Sequence, residues 1–555
     1  MRVNFILKKI ILLLIIVLFN SCTNTYNRSF LELANAFEKW YFVHYPHDSV
    51  TINPYNYYIK TKLGNINFIN EHILDLKRFK LELNQINKTQ LYNNNLLRYN
   101  SIIYTIESLL YKELFIKDST INPQYYTNYI YSHLLKLLAT DNIDNITKSL
   151  YANNTLELIP AQVKRAKKSL IFSNGYFIDK AIKDIAKINI LFEDILLYTN
   201  PNDIMLVKIE SNLNIASRSI FDFQVWLNTK LEKKDFIDDA IKSEYIEKRN
   251  NLEKIYKYKN IIKSLTRSVN NIQNKIFEIS LPIYLLDNDE PIWVDREDTL
   301  SIVKYVINKK YVNKKIVKDI ESRIIQSSDS YDTINAFAVS KSIYNTLDFV
   351  NIKYPFFEEL PNYTDNAMII NKDSDISVLI GNMNSYLPQT HLNYFIIESL
   401  IPELLYFKYS NKKTLRINND INKYCWGKII GKVFIDSGFK ELDSDFELLH
   451  NMKLLQDFVY LLIKDKYANN EISEKQAIYI LSKDAFYSKD ESENVWQDIL
   501  YKNDFNLEYY ASYILINYLF DQNCTLHNYM NPEQFIKKMI SSGFIQAYNY
   551  KTILN

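Results

Sequence analysis

A predominantly all-α protein is what this sequence predicts, and three observations carry the prediction. Breakers are scarce, with 7 Gly and 12 Pro in 555 residues, which disfavours turn-rich β architectures as well as collagen-like and disordered chains. Hydrophobic residues make up 47% of the chain, enough for a sizeable core. Along most of the length, apolar positions recur every three or four residues, the spacing that gathers them on one face of a helix.

At the start, Arg2, Lys8 and Lys9 precede the apolar run Ile10 to Phe19, which ends in Asn20-Ser21-Cys22. The run is shorter than the roughly 20 residues a membrane-spanning helix needs. A charged start, a short apolar run and a small residue before cysteine form the pattern of a bacterial lipoprotein signal. Residues 1–21 are therefore expected to be a signal peptide, with Cys22 as the lipidation site and 22–30 as a tether. Phe19 departs from the usual Leu three residues before the cysteine, and an uncleaved N-terminal anchor is the alternative. Thr23 and Asn24 follow Cys22 where an inner-membrane retention signal would carry Asp. The expected address is the cell envelope, on the outer membrane facing the periplasm, with the membrane itself a partner through the N-terminal lipid.

From Leu31 onward helical periodicity dominates. In Ile159 to Ile171, Ile159, Val163, Ala166 and Leu170 form one apolar stripe while Arg165 and the lysines fall between them, the pattern of an amphipathic helix. Similar patterns run through Ile182 to Leu197, Ile204 to Leu227, Tyr245 to Ile276, Thr299 to Ile325, Leu454 to Tyr467 and Ser473 to Leu481. The exception is 366–383, where Ala367 to Ile370 and Ser377 to Ile380 flank the polar Asn371 to Asp375, a small β-hairpin signature. Pro282 to Asp295, with two prolines and an acidic cluster, is the strongest break. Residues 31–555 thus read as one large helical domain with a candidate sub-division near 282–296.

Charge narrows the partners. Lys+Arg 66 against Asp+Glu 64 leaves +2, so no global field attracts nucleic acid. Cys425 and Cys524 are the remaining cysteines after Cys22, and both a disulfide and two free thiols stay open. No G-x-S-x-G elbow and no Gly-rich phosphate loop occurs.

Several segments follow one another in an order seen in one bacterial family. They are Ala152 to Ile171, Pro282 to Arg296, Glu359 to Asn382, IESLIPELL (Ile397 to Leu405), KYCWGKIIG (Lys423 to Gly431) and Ile472 to Leu481. The chain resembles the domain of unknown function 885 proteins, which are mostly helical, often lipoproteins, and look like zinc metallopeptidases. The resemblance implies a metal helix reading H-E-x-x-P-G-H-H, because neutral imidazoles hold zinc with one position open and a carboxylate takes the proton of the bound water. Aligned on Pro402, the histidine positions here hold Glu398, Leu404 and Leu405, and Ser399 replaces the base. Shifting by one residue puts Ile397, Glu403 and Leu404 there instead. The family's E-G-W-A-x-Y-A-E motif keeps its tryptophan as Trp426, but Tyr424 and Cys425 stand where Glu-Gly is expected. Its D-T-G-x-H segment corresponds to Lys464 to Ala468, and a late transition-state tyrosine to Tyr513.

Nothing in the sequence rebuilds the lost ligands. Among the seven histidines none forms a His-x3-His pair, and on one helix His391 and Glu398 would stand roughly 10 Å apart, too far to share an ion. The expectation is a lipid-anchored relative of the zinc metallopeptidases without metal or cofactor, non-catalytic, with a binding, scaffolding or vestigial role and a peptide or protein as ligand. Leu404 and Leu405 are expected to fill the vacated site as hydrophobic core. The alternative is a divergent peptidase or other hydrolase with a displaced catalytic site, which would keep a polar cleft where Glu398, Tyr424 and Tyr513 converge.

Overall fold

The computed structural model describes residues 26–44, 66–116, 118–138, 145–199, 202–234, 239–257, 260–288, 296–311, 390, 393–394, 397–398, 402, 420–439, 443–501, 506–526, 529–542 and 545–554. The signal peptide, Cys22, the 366–383 hairpin, His391, Ser399, Leu404 and Leu405 lie outside the described residues. Within them the fold is all-α: no strand is present, and the one β-bridge joins single residues, Ser173 and Lys233. No described helix is long and apolar enough to cross a membrane.

The chain divides into two compact units, 1–235 with 410–418 and 541–549, and 236–409 with 419–540 and 550–555. The first unit comprises α1 (26–44), α2 (Ile66–Asn84), α3 (Asn93–Tyr111), α4 (Gln124–Leu138), α5 (Asn145–Ser169), α6 (Gly175–Thr199) and α7 (Asp203–Thr229). α5 packs along α7 and α4 along α6. The stripe expected in Ile159 to Ile171 is real: Ile159, Val163, Ala166 and Leu170 are all buried. Asn202 caps α7 by accepting from the Met205 N–H at 3.0 Å, which satisfies one of the first-turn donors a helix leaves open.

The second unit holds α8 (Asp239–Tyr256), α9 (Ile261–Leu285), α10 (Arg296–Tyr311), α11 (Asp420–Asp436), α12 (Phe446–Ala468), α13 (Glu474–Asp484), α14 (Lys489–Tyr501), α15 (Leu507–Phe520) and α16 (Pro532–Ile540). Here α9 packs on α12 and α10, and α11 packs on α15. Two boundaries differ from the sequence reading. Tyr245 to Ile276 is not one helix, because Lys257 takes a left-handed backbone (φ 57°) and Asn260 caps a new helix at the Lys263 N–H. In the other direction, α9 runs through Pro282 to Leu285; a proline in the last turn removes one hydrogen bond and little else. Ser473 starts α13 through a reciprocal capping box with Gln476, where a Ser-x-x-Gln pattern places it.

Candidate functional site

The second unit buries a group of charged side chains at the place where the sequence resemblance puts a metal. Three segments build it. α11 is buried on nearly every side, from Ile421 to Phe434, and carries Tyr424 and Lys428. α12 contributes His450 and Asp457, seven residues apart and so on one face. Residues 393–394 and 397–398, helical at each described position, supply Tyr394 and Glu398.

Two glycines let these segments meet. A Cβ on Gly427 would overlap the backbone carbonyl of Glu398, and one on Gly431 would lie 2.8 Å from both Glu398 Oε1 and His450 Nδ1. Gly427 and Gly431 are four residues apart, so they form one flat strip on α11 against which the Glu398 turn rests. Glycine is poor in a helix interior, by about 1 kcal/mol against alanine. Two of the chain's 7 glycines stand here, because any side chain would push the segments apart.

Lys428 is the centre of the group. Its Nζ lies 2.9 Å from Glu398 Oε2, donates to the Tyr394 hydroxyl at 2.6 Å, and stands 3.6 Å from Asp457 Oδ2. The other Glu398 oxygen, Oε1, accepts from His450 Nδ1 at 2.5 Å; a carboxylate only accepts, so this places the imidazole proton on Nδ1. Tyr424 donates its hydroxyl to Asp457 Oδ2 at 3.0 Å. The side chains of Lys428 and Glu398 are each 4% exposed, so their charges are held by one another and not by water.

The ionisation of these groups follows the contacts. Burial opposes the charge on Glu398, but Lys428 and then His450 outweigh it and hold the carboxyl below its ordinary range. Burial likewise opposes the Lys428 charge, and Glu398, Tyr394 and Asp457 reverse it, so the ammonium persists well above the usual lysine range. Asp457 goes the other way: burial lifts its carboxyl, and Lys428 and Tyr424 offset this only in part. Its side chain nevertheless keeps 32% of its surface open. It is a carboxylate crowded by protein atoms yet still reached by solvent. Burial also raises the Tyr394 and Tyr424 hydroxyls well above the ordinary tyrosine range.

Of the residues nominated from sequence, Glu398 and Tyr424 belong to the group and Tyr513 is beside it. Tyr513 is buried, packs edge-on against Phe458, and has its hydroxyl pushed up by burial within electrostatic reach of Lys428 and Glu398. Cys425 is buried and Cys524 half-buried, and both are free thiols. Lys464 and Asp465 are not in the group; Asp465 accepts from Arg249 at 2.9 Å, tying α8 to α12. Leu404 and Leu405, expected to fill the site as hydrophobic core, lie outside the described residues. Among those described, Lys428, Glu398, His450 and Asp457 meet beside Gly427 and Gly431, each with a polar partner close by.

Zinc does not fit this arrangement. Glu398 has one oxygen engaged by His450 and the other by the ammonium, and a dication would face the Lys428 charge at close range. Among the described residues no three His, Cys, Asp or Glu side chains converge as a ligand set. Sequence reasoning missed Lys428, His450, Asp457 and Tyr394. One signal was available, a Gly-x-x-x-Gly spacing in KYCWGKIIG with lysine beside the first glycine, in a chain that otherwise avoids glycine.

The fold has solved counterparts. A candidate lipoprotein of unknown function from Shewanella oneidensis superposes with a TM-score of 0.60 at 14% identity, covering 95% of this chain and 100% of that one. A candidate lipoprotein from Colwellia psychrerythraea gives a TM-score of 0.54 at 11% identity, covering 95% and 98%. At such identities the likeness shows the fold alone. No family profile and no curated protein matches the sequence.

Proposed function

We propose that the protein is a lipid-anchored component of the bacterial cell envelope, related to the domain of unknown function 885 proteins, in which an internal ion group has taken the place of a metal centre. On this reading it works by binding or scaffolding and not by turnover. The observation that carries it is the Lys428 ammonium, buried and held between Glu398, Tyr394 and Asp457. A fixed cation of the protein's own neutralises the carboxylates that a metal would need as ligands. The lipoprotein-like N-terminus, and structural counterparts that are themselves candidate lipoproteins, support the lipid anchor at Cys22. An outer-membrane, periplasm-facing address goes with it. The test is a peptide-library hydrolysis assay with and without chelator: no chelator-sensitive cleavage is expected, and metal-dependent turnover would contradict the proposal.

One observation favours a displaced hydrolytic site. Asp457 is raised in pKa, partly exposed and hydrogen-bonded to Tyr424, which are the attributes of a general acid. That reading requires metal-independent turnover that disappears in Asp457→Asn while the fold, read by circular dichroism, is unchanged.

A further inference from the structure

The outward face of α7 is the most apolar exposed helix surface in the first unit. Ile204, Val207, Ile215, Phe221 and Val225 are all exposed, Ile204 and Val207 at 75% and 67%. They fall along one side of the helix, opposite Ile209, Ala216, Ile220, Phe223 and Leu227, which are fully buried. α7 is 27 residues long, about 40 Å at 1.5 Å per residue. The neighbouring end of α5 extends the surface. Asn212 bonds Asn153 at 2.9 Å and Lys167 bonds the Asp222 carbonyl at 3.1 Å, so α5 and α7 run alongside in the same direction. Their first turns lie at one level, and Ile146 and Leu150 of α5 are exposed there too.

Two further observations say what covers this face. Cys22 is separated from the start of α1 at Tyr26 by three residues, a reach of about 10 Å, and 1–235 belong to the first unit. A lipid on Cys22 would therefore tether this unit, through the start of α1, to the bilayer. Among the described residues, fourteen exposed aliphatic or phenylalanine side chains belong to that unit and four to the other, although the two units have similar numbers of described residues. Apolar surface is concentrated where the anchor is.

We infer that the outward face of α7, with the adjoining end of α5, rests on the bilayer as an interfacial surface. The occupant is lipid. Apolar side chains enter the acyl boundary while Ser211, Asn214, Arg218 and Asp222, interspersed on the same face and exposed, reach the headgroup region. This gives the chain a second, weaker membrane contact that orients the body once the lipid has tethered it, since a single acyl-type anchor leaves orientation free.

The inference rests on the lipid-anchor reading, and the experiment separates the two. The mature chain from residue 22 carrying Cys22→Ser is floated with vesicles of phosphatidylethanolamine and phosphatidylglycerol, beside the same protein with Ile204→Ser, Val207→Ser and Phe221→Ser. Partitioning is expected to fall by about tenfold or more in the triple variant, with unchanged circular dichroism. Equal partitioning of the two proteins overturns the inference, as does failure of both to bind. A triple variant that changes sedimentation mass instead assigns the face to a second copy and overturns it equally. The anchor is read independently, by mass spectrometry of Cys22 in the envelope-expressed protein.

Discussion

Each unit buries a polar cluster, and the two solve the problem of burial in opposite ways. Around Lys428 the central pair keeps its charges: the ammonium and the Glu398 carboxylate sit 2.9 Å apart and each holds the other ionised. Around Trp40 the histidines are held neutral. His44 and His72 stack on the indole with ring centres 4.3 and 4.9 Å away and lie 5.2 Å from each other. The indole N–H donates to Asp75 at 2.9 Å, and His44 Nδ1 donates to the Trp40 carbonyl at 2.8 Å. Burial, and then the neighbouring His44 charge, lower His72 to about 4, with Asp75 opposing only in part. Burial likewise lowers His44. Where two glycines let an ammonium reach a carboxylate, charge survives burial; beside the Trp40 indole, burial outweighs the pull of Asp75 and the histidines give up their protons more easily.

The sharpest way to break the comparison is to remove one side of the ion pair. Lys428→Met leaves Glu398 buried with only His450 and is expected to cost about 3–5 kcal/mol in urea unfolding. Lys428→Met combined with Glu398→Leu recovers much of that loss, because no charge is left unpaired. A neutral single substitution would show that the pair does not hold the charges in place.

The histidine cluster predicts a pH effect of the opposite origin. The folded pKa of His72 lies below its unfolded 6.5, so the unfolded chain binds more protons and stability rises with pH. The contribution is complete above about pH 6.5 and is lost as pH falls toward 4, about 2 kcal/mol of it between about pH 7.5 and 5. His72→Phe flattens that part of the pH profile of unfolding. A profile unchanged by the substitution would mean that His72 is not kept neutral.

The smallest effect concerns the glycines. Gly→Ala inside a helix normally stabilises, by about 1 kcal/mol. At Gly427 the new methyl meets the Glu398 carbonyl, and overpacking turns the gain into a net loss of about 1–2 kcal/mol, read by thermal unfolding. Gly175, with open space around it, is the control, and Gly175→Ala does not destabilise by that route.

Much of the fold was legible because helices announce themselves locally. Ile204 to Leu227 falls inside α7 and Leu454 to Tyr467 inside α12, since periodicity needs only one element to be read. The split at Asn260 was missed because the apolar spacing continues across it, and only the left-handed Lys257 and the cap at Asn260 end the helix. The site was half legible. Glu398 and Tyr424 were nominated by the resemblance to a family whose histidine and glutamate ligands this sequence does not carry. Lys428 and His450 lie 30 and 52 residues from Glu398, and no local pattern says which buried cation meets which carboxylate. The residue that meets Glu398 is a lysine beside a glycine, and motif alignment alone does not show that pairing.

The central claim, that the protein's own ammonium occupies the place of a metal, is tested most directly by zinc titration calorimetry on purified protein after chelation. The account predicts no stoichiometric binding. One zinc per chain, lost in Glu398→Gln or His450→Ala, would contradict it.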